Sequence, residues 1–443
     1  MRIRIFSADI NFHPARVTGG VFYGWWIVGM SVFMLTLMAA TSFQSLGIFV
    51  VALERKFGWS RTTLSVPFSL SRVQGAMVGP LEGWLIDRLG SRRMIVIGYT
   101  IMGIGFILYS QIDTVWQYFA AYFLIAVGSG FGGWLAIITL VNNWFIRRRS
   151  MALATAMSGV HLGGFLVPVL ALGIESHGFR ATTLGVGVFV LATVMPMTWL
   201  VRNRPEDIGL RPDGDSETSM PSQRSADEGV TEADAEPEFT ARQAMRTPVF
   251  WILALVHMTS TISIVTLAIH LVPKLTDIGF SLSGASLVVL TYTAAAMATQ
   301  FVAGYIGDRM PKPRLIFVFF MFQATSLAVI AFADQAYMAY IFAVLYGIGI
   351  GGRIPLLTAI RGDYFGRKAF ATIMGVSMLP NNVGMFIAPL FAGYMFDTTG
   401  TYVVPFTIFA VLNFVGAFGM LFVRKPKFDA TDGAGLRSER LRR

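Results

Sequence analysis

GWLIDRLG (83–90) and GYIGDRMP (304–311) are versions of one phrase placed 221 residues apart. Working outward from them, GSGFGGW (128–134) aligns with GIGIGGR (347–353), NNWF (142–145) with GDYF (362–365), and FGWS (57–60) with IGFS (278–281). The spacing stays within two residues throughout, so one long unit is written twice. A parallel repeat of this size is the sequence signature of a duplicated architecture. In membranes it is an arrangement found in many secondary carriers.

The surrounding composition says which solvent the unit meets. The 443 residues are 54% hydrophobic and 14% charged, against about 25% charged in soluble domains. Twelve apolar runs reach spanning length: 23–51, 62–87, 92–111, 114–145, 149–174, 179–201, 248–273, 282–306, 314–333, 336–361, 369–396 and 402–423. The expected fold is an all-α membrane protein with twelve transmembrane helices in two pseudo-symmetric six-helix bundles, residues 23–201 and 247–423. Between them, residues 202–246 read as a linker. Its central stretch is acidic and polar and carries no apolar cluster, so it is expected to be disordered. Residues 1–22 and 424–443 read as tails; the first is too interrupted to be a signal peptide. Absence of cysteine excludes disulfides and thiol chemistry.

Charge sets the orientation. With twelve spans both tails lie on one side, and the loops of that side carry Arg88, Arg92, Arg93, Arg147 to Arg149, Arg309, Lys312, Arg314, Arg367 and Lys368. The opposite side has only Arg55, Lys56, Arg61, Arg180 and Lys274. The positive-inside rule makes the arginine-rich side cytoplasmic. The net charge of +10 is therefore read as topology, not as a nucleic-acid surface. A bacterial inner membrane and a monomer are the expected setting.

GWLIDRLGSRRMI (83–95) resembles the signature between spans 2 and 3 of the major facilitator superfamily, with Ile86 in place of a small residue and Ser91 where Arg is common. GYIGDRMPKPRL resembles its degenerate second copy. YGWWIVG (23–29) and the tract GIGGRIP…RGDYFGR are similar to the monocarboxylate and oxalate/formate carrier branch. One position departs: that branch places an Arg four residues before the Gly of the second signature, and here Gln300 stands before Gly304. The resemblance implies that Asp87, Arg88, Arg92 and Arg93 form a conformational latch, with Asp308 and Arg309 as a partial counterpart.

Helix rise places other residues by depth. Arg353 lies twelve residues before Phe365, roughly 18 Å into span 10. Arg72, His161, Asn381, Asn382 and His257 fall in or near the same layer, where carriers of this type bind substrate. An arginine in a partly dehydrated cavity presents planar donors that match a carboxylate in two-pronged fashion. Arg353, Arg72, His161, Asn381, Asn382 and Gln300 are therefore the candidate substrate ligands. A permanent ion pair holding helices together is the alternative for Arg353. Arg361, close to its span end, reads as a snorkelling or gating residue. His161, His257 and Glu82 can titrate in or near the spans, and His161 and His257 are the candidates for proton coupling. The glycine clusters read as close-packing faces, since no strand or G-K-[ST] accompanies them.

No catalytic motif, cofactor site or metal site is legible, so an enzyme is not expected. The expected function is secondary active transport of a small organic anion, a monocarboxylate first, by alternating access, coupled to protons or to a counter-anion. An efflux carrier for amphipathic compounds and a membrane sensor that binds an organic anion are the alternatives. The cavity is expected among spans 1, 4, 7 and 10.

Overall fold

The computed structural model describes residues 22–59, 61–214, 238–280 and 282–426. Residues 215–237 of the linker and most of both tails lie outside the described residues. Among the described residues, ten helices are long and apolar enough to cross a membrane. Two further legs complete twelve. One is Arg61–Leu89, whose charges lower its hydropathy. The other appears when the long helix Val167–Leu200 is divided at Gly178, whose φ of 80° and ψ of 166° turn the chain back.

In chain order the spans are α1 (Tyr23–Gln44, continued by Leu46–Phe57), α2 (Arg61–Leu89), α3 (Ser91–Ser110) and α4 (Val115–Trp144). Next come α5, which starts as Arg149–Gly163 and runs to the break at Gly178, and α6, which ends at Leu200. The second set is α7 (Pro248–Asp277), α8 (Leu282–Gly307), α9 (Lys312–Ala331), α10 (Ala336–Phe365), α11 (Phe370–Thr399) and α12 (Val403–Phe422). The twelve expected runs match these helices, with ends displaced by a few residues.

Small residues set the tightest helix approaches. A side chain at Gly98 of α3 would collide with the backbone of Gly128 and Gly132 on α4. A side chain at Gly351 of α10 would collide with the Ala296 backbone of α8. Lipid tails are as apolar as leucine, so close packing of such faces replaces the hydrophobic drive between helices. The glycine clusters are packing faces, as expected.

The two halves meet through α2 against α11 and α5 against α8. Among the described residues, one apolar core fills the first half and takes in Ala359, Phe370, Ala371 and Met374 of the second, toward the arginine-rich end, with Ile354 and Met378 packed against it. The other two cores belong to the second half. The molecule is thus sealed at the arginine-rich face.

Breaks in helix regularity gather at mid-depth. α1 passes through a π-helical turn at Ala40–Gln44. α4 is interrupted at Gly133, with φ −88° and ψ −126°. Pro355 sits inside α10, and Pro380 and Pro389 inside α11. Proline removes a donor from the helix ladder, and π turns mark functional stretches. These irregularities are next to the residues that line the central cavity.

Candidate functional site

A cavity of about 460 Å³ lies between the halves. Trp134 and Arg353, which occupy matching places in the two copies of the repeat, both line it. Its walls come from α1 (Met38, Ser42, Phe43), α4 (Tyr122, Ser129, Trp134), α7 (His257, Thr261) and α10 (Arg353, Thr358). α2 and α11 contribute as much, through Ser71, Gly79, Glu82, Met378, Asn381, Asn382 and Met385. That extends the expected four-helix lining to six.

Arg353 is fully buried, and none of its three guanidinium nitrogens has a hydrogen-bond partner. Its carbon lies 5.5 Å from the ring centre of Phe320, a contact through the aromatic face that leaves its planar donors uncommitted. Among the described residues, no acidic side chain pairs with it. Asp363, the nearest carboxylate on its own helix, is taken up elsewhere: Arg149 Nη1 reaches it at 2.6 Å and Lys312 Nζ at 2.7 Å. A buried, unpaired guanidinium is costly. On a cavity wall, such a group can take an anionic ligand.

Asn381 and Asn382 line the same cavity. Asn381 Nδ2 faces Met385 Sδ at 3.5 Å, and its Oδ1 has no partner. The Arg72 side chain lies outside the described residues.

His161 and Gln300 are placed differently from the reading by depth. Neither lines the cavity among the described residues. The His161 ring nitrogen Nε2 sits 3.2 Å from Gln300 Oε1, and Gln300 Nε2 donates to the Ala154 carbonyl at 2.7 Å. The pair stitches α5 to α8 across the two halves. Depth along a helix gives the level of a side chain but not the direction it faces, and these two face each other.

Arg361 does not snorkel. It is 1% exposed, and its two terminal nitrogens donate to the Leu357 carbonyl at 2.7 Å and the Leu253 carbonyl at 3.0 Å. Its Nη2 also lies 3.4 Å from His257 Nδ1, which accepts in the tautomer protonated on Nε2. His257 therefore reaches the cavity wall while leaning on a permanent cation.

At the arginine-rich end two aspartates act reciprocally. Asp87 accepts from the Ala371 and Thr372 amides at 3.2 and 2.8 Å and from the Thr372 hydroxyl at 2.6 Å. These amides belong to the first turn of α11. Asp308 accepts from the Ser150 and Met151 amides at 2.7 and 3.1 Å, in the first turn of α5. The first amides of a helix lack intrahelical partners and carry partial positive charge, so a carboxylate there is well held. Each half caps a helix of the other. The arginines of the signature stay within their own halves. Arg92 donates to the Thr198 carbonyl at 2.9 Å, Arg88 lies over the Trp84 ring at 5.1 Å, Arg309 over the Tyr305 ring at 3.6 Å, and Arg93 is exposed.

Glu82, marked in the sequence only as a group able to titrate in or near the spans and not as a ligand, lines the cavity. Sequence reasoning passed over the aromatic walls Phe43, Tyr122 and Trp134, which no periodicity distinguishes from core.

Comparison with known proteins adds to this geometry. The family model of the Major Facilitator Superfamily matches the chain twice, over residues 32–274 and 250–441. The chain is similar to Monocarboxylate transporter 12-B of Danio rerio, at 24% identity over 411 residues, covering 88% of this chain and 85% of that one. It is similar to the Oxalate:formate antiporter of Oxalobacter formigenes at 21% over 418 residues, covering 91% and 94%. A third relative is the uncharacterized MFS-type transporter YhjX of Escherichia coli (strain K12), 24% identical over 360 residues, covering 79% and 83%. A family model that spans both halves, on a twelve-helix frame with the family's signature at its hinge, decides membership: the chain belongs to the Major Facilitator Superfamily.

Proposed function

We propose that this protein is a secondary active transporter of a small organic anion, with a monocarboxylate as its substrate. Transport proceeds by alternating access, coupled to a proton or to exchange against a second anion. The observation that carries this reading is Arg353: buried, on the cavity wall, with every guanidinium nitrogen unpartnered. The names of the relatives, monocarboxylate transporters and an oxalate:formate antiporter, support the same chemistry.

The mechanism follows from placement. A carboxylate entering the cavity meets two parallel N–H donors in a low-dielectric wall, where charge-assisted bonds are at their strongest. Asn381 and Asn382 supply neutral donors and acceptors beside it. The Asp87 and Asp308 caps hold the arginine-rich face closed while the anion loads. Breaking both caps as the halves rock would open that face. We assign the arginine-rich face to the cytoplasm of a bacterial inner membrane, with both termini there and the protein acting as a monomer. The bundles are taken as 23–201 and 247–423.

The test is counterflow in proteoliposomes with radiolabelled monocarboxylates. Arg353→Lys is expected to lose most transport, because an ammonium cannot reproduce the two-pronged donor geometry. Arg353→Ala should weaken binding by about 2–5 kcal/mol, roughly thirtyfold to several thousandfold. If monodisperse Arg353→Ala moves every carboxylate as well as the wild type does, the organic-anion reading is wrong.

A further inference from the structure

Glu82 is left unused by a mechanism that needs only an anion site. It is 8% exposed, yet it lines the same cavity as Arg353. Among the described residues, no hydrogen bond or ion pair engages it. Its carboxyl rests against Gly130 of α4, where any side chain would displace it. The polar groups that share its cavity include Tyr122 and Ser129 from α4, Asn381 and Asn382 from α11, and His257 and Arg353 from α7 and α10. None bonds to it, and the Ser129 hydroxyl donates instead to Ala126.

Among the described lining residues the cavity therefore offers two side chains of opposite sign, both largely buried and neither with a hydrogen-bond or ion-pair partner. They stand on different halves, Glu82 on α2 and Arg353 on α10, and do not pair with each other. A plain anion answers one and leaves the other bare, and bare buried charge is expensive. A ligand that is anionic at one end and cationic at the other answers both.

Accepting the organic-anion reading, on which this rests, we propose that the substrate is a carboxylate that carries its own ammonium group. Arg353 takes the carboxylate and Glu82 the ammonium. The apolar walls Phe43, Trp134 and Met378 take an apolar side chain, and about 460 Å³ leaves room for one. Such a ligand touches both halves at once. Its binding energy then favours the arrangement in which they close over it, whereas a simple anion engages one half only.

The experiment uses purified full-length protein and matched pairs of acids: phenylalanine against 3-phenylpropanoate, and leucine against 4-methylpentanoate. Thermal shift is read as a function of ligand concentration at pH 7. The amine-bearing member of each pair should half-saturate at roughly tenfold lower concentration or less. Glu82→Gln should erase that preference while the plain acid still binds, and Glu82→Asp should retain it. Equal or weaker binding of the amine-bearing members to the wild type overturns the proposal, whether or not the variants fold. A preference that survives Glu82→Gln also overturns it. So does a Glu82→Gln protein that keeps its ligand preference and loses only the pH dependence of transport, which would make Glu82 a proton site. If no acid of any pair binds, the organic-anion reading itself has failed and this inference falls with it.

Discussion

Arg353 exposes a conflict between binding and stability at a single residue. Its guanidinium is buried with no hydrogen-bond partner, so its desolvation cost is offset within the protein chiefly by the Phe320 ring. Replacing buried charge with an apolar side chain of similar volume can stabilise a protein by about 1–4 kcal/mol. Arg353→Met is therefore expected to raise the melting temperature of the ligand-free protein by several degrees while abolishing carboxylate binding. A lowered melting temperature would mean that Arg353 holds the fold. Arg361 should behave oppositely. It bonds to carbonyls of α7 and α10, and its replacement by Met should lower thermal stability. This contrast was not legible in the sequence, where both arginines read as charges at different depths. Counting residues gives distance along the helix axis. The bearing around that axis depends on neighbours, and it decided that Arg353 faces a void, that Arg361 faces carbonyls, and that His161 faces Gln300.

Among the elements, α2 and α11 show what the repeat could and could not announce. The signature GWLIDRLG located Asp87 at the end of α2, and its copy located Asp308 at the end of α8; that these residues form a latch was implied only by the family resemblance. The latch's partners were not legible, since the amides at 150, 151, 371 and 372 have no sequence mark of their own. The π turn in α1 and the break at Gly133 were equally silent, because local sequence there is ordinary for a span. Hydrogen bonds to a charged group contribute about 1.5–3 kcal/mol. Asp87→Asn or Asp308→Asn should thus shift the closed arinine-rich face toward opening by roughly ten- to a hundredfold. The chain has no cysteine, so a single Cys at Ser129, on the cavity wall, reports on this directly. A membrane-impermeant maleimide applied from the arginine-rich face should label it faster in either variant than in the parent. Equal labelling rates would show that the aspartates do not hold that face.

For the whole molecule, duplication was the most legible feature and the most consequential. Twelve spans, their pairing into halves and the matching places of Trp134 and Arg353 all follow from an offset of about 220 residues. The long loop between the halves is expected on the same side as the termini. Protease added to inside-out vesicles should cut first within 215–237, where acidic and polar residues prevail. Cleavage from the outer face alone would reverse the topology. The reciprocal caps add a property that concerns insulation. Asp87 grips α11 and Asp308 grips α5, so both grips lie on the seam about which rigid halves would rock. A rigid body cannot release one and keep the other without bending. Two caps of about 1.5–3 kcal/mol each, released together, suppress accidental opening by the product of their separate factors, on the order of a hundred- to ten-thousandfold. A carrier built this way resists becoming a pore: the membrane potential and ion gradients across the bilayer are protected from leak by the symmetry of its two caps.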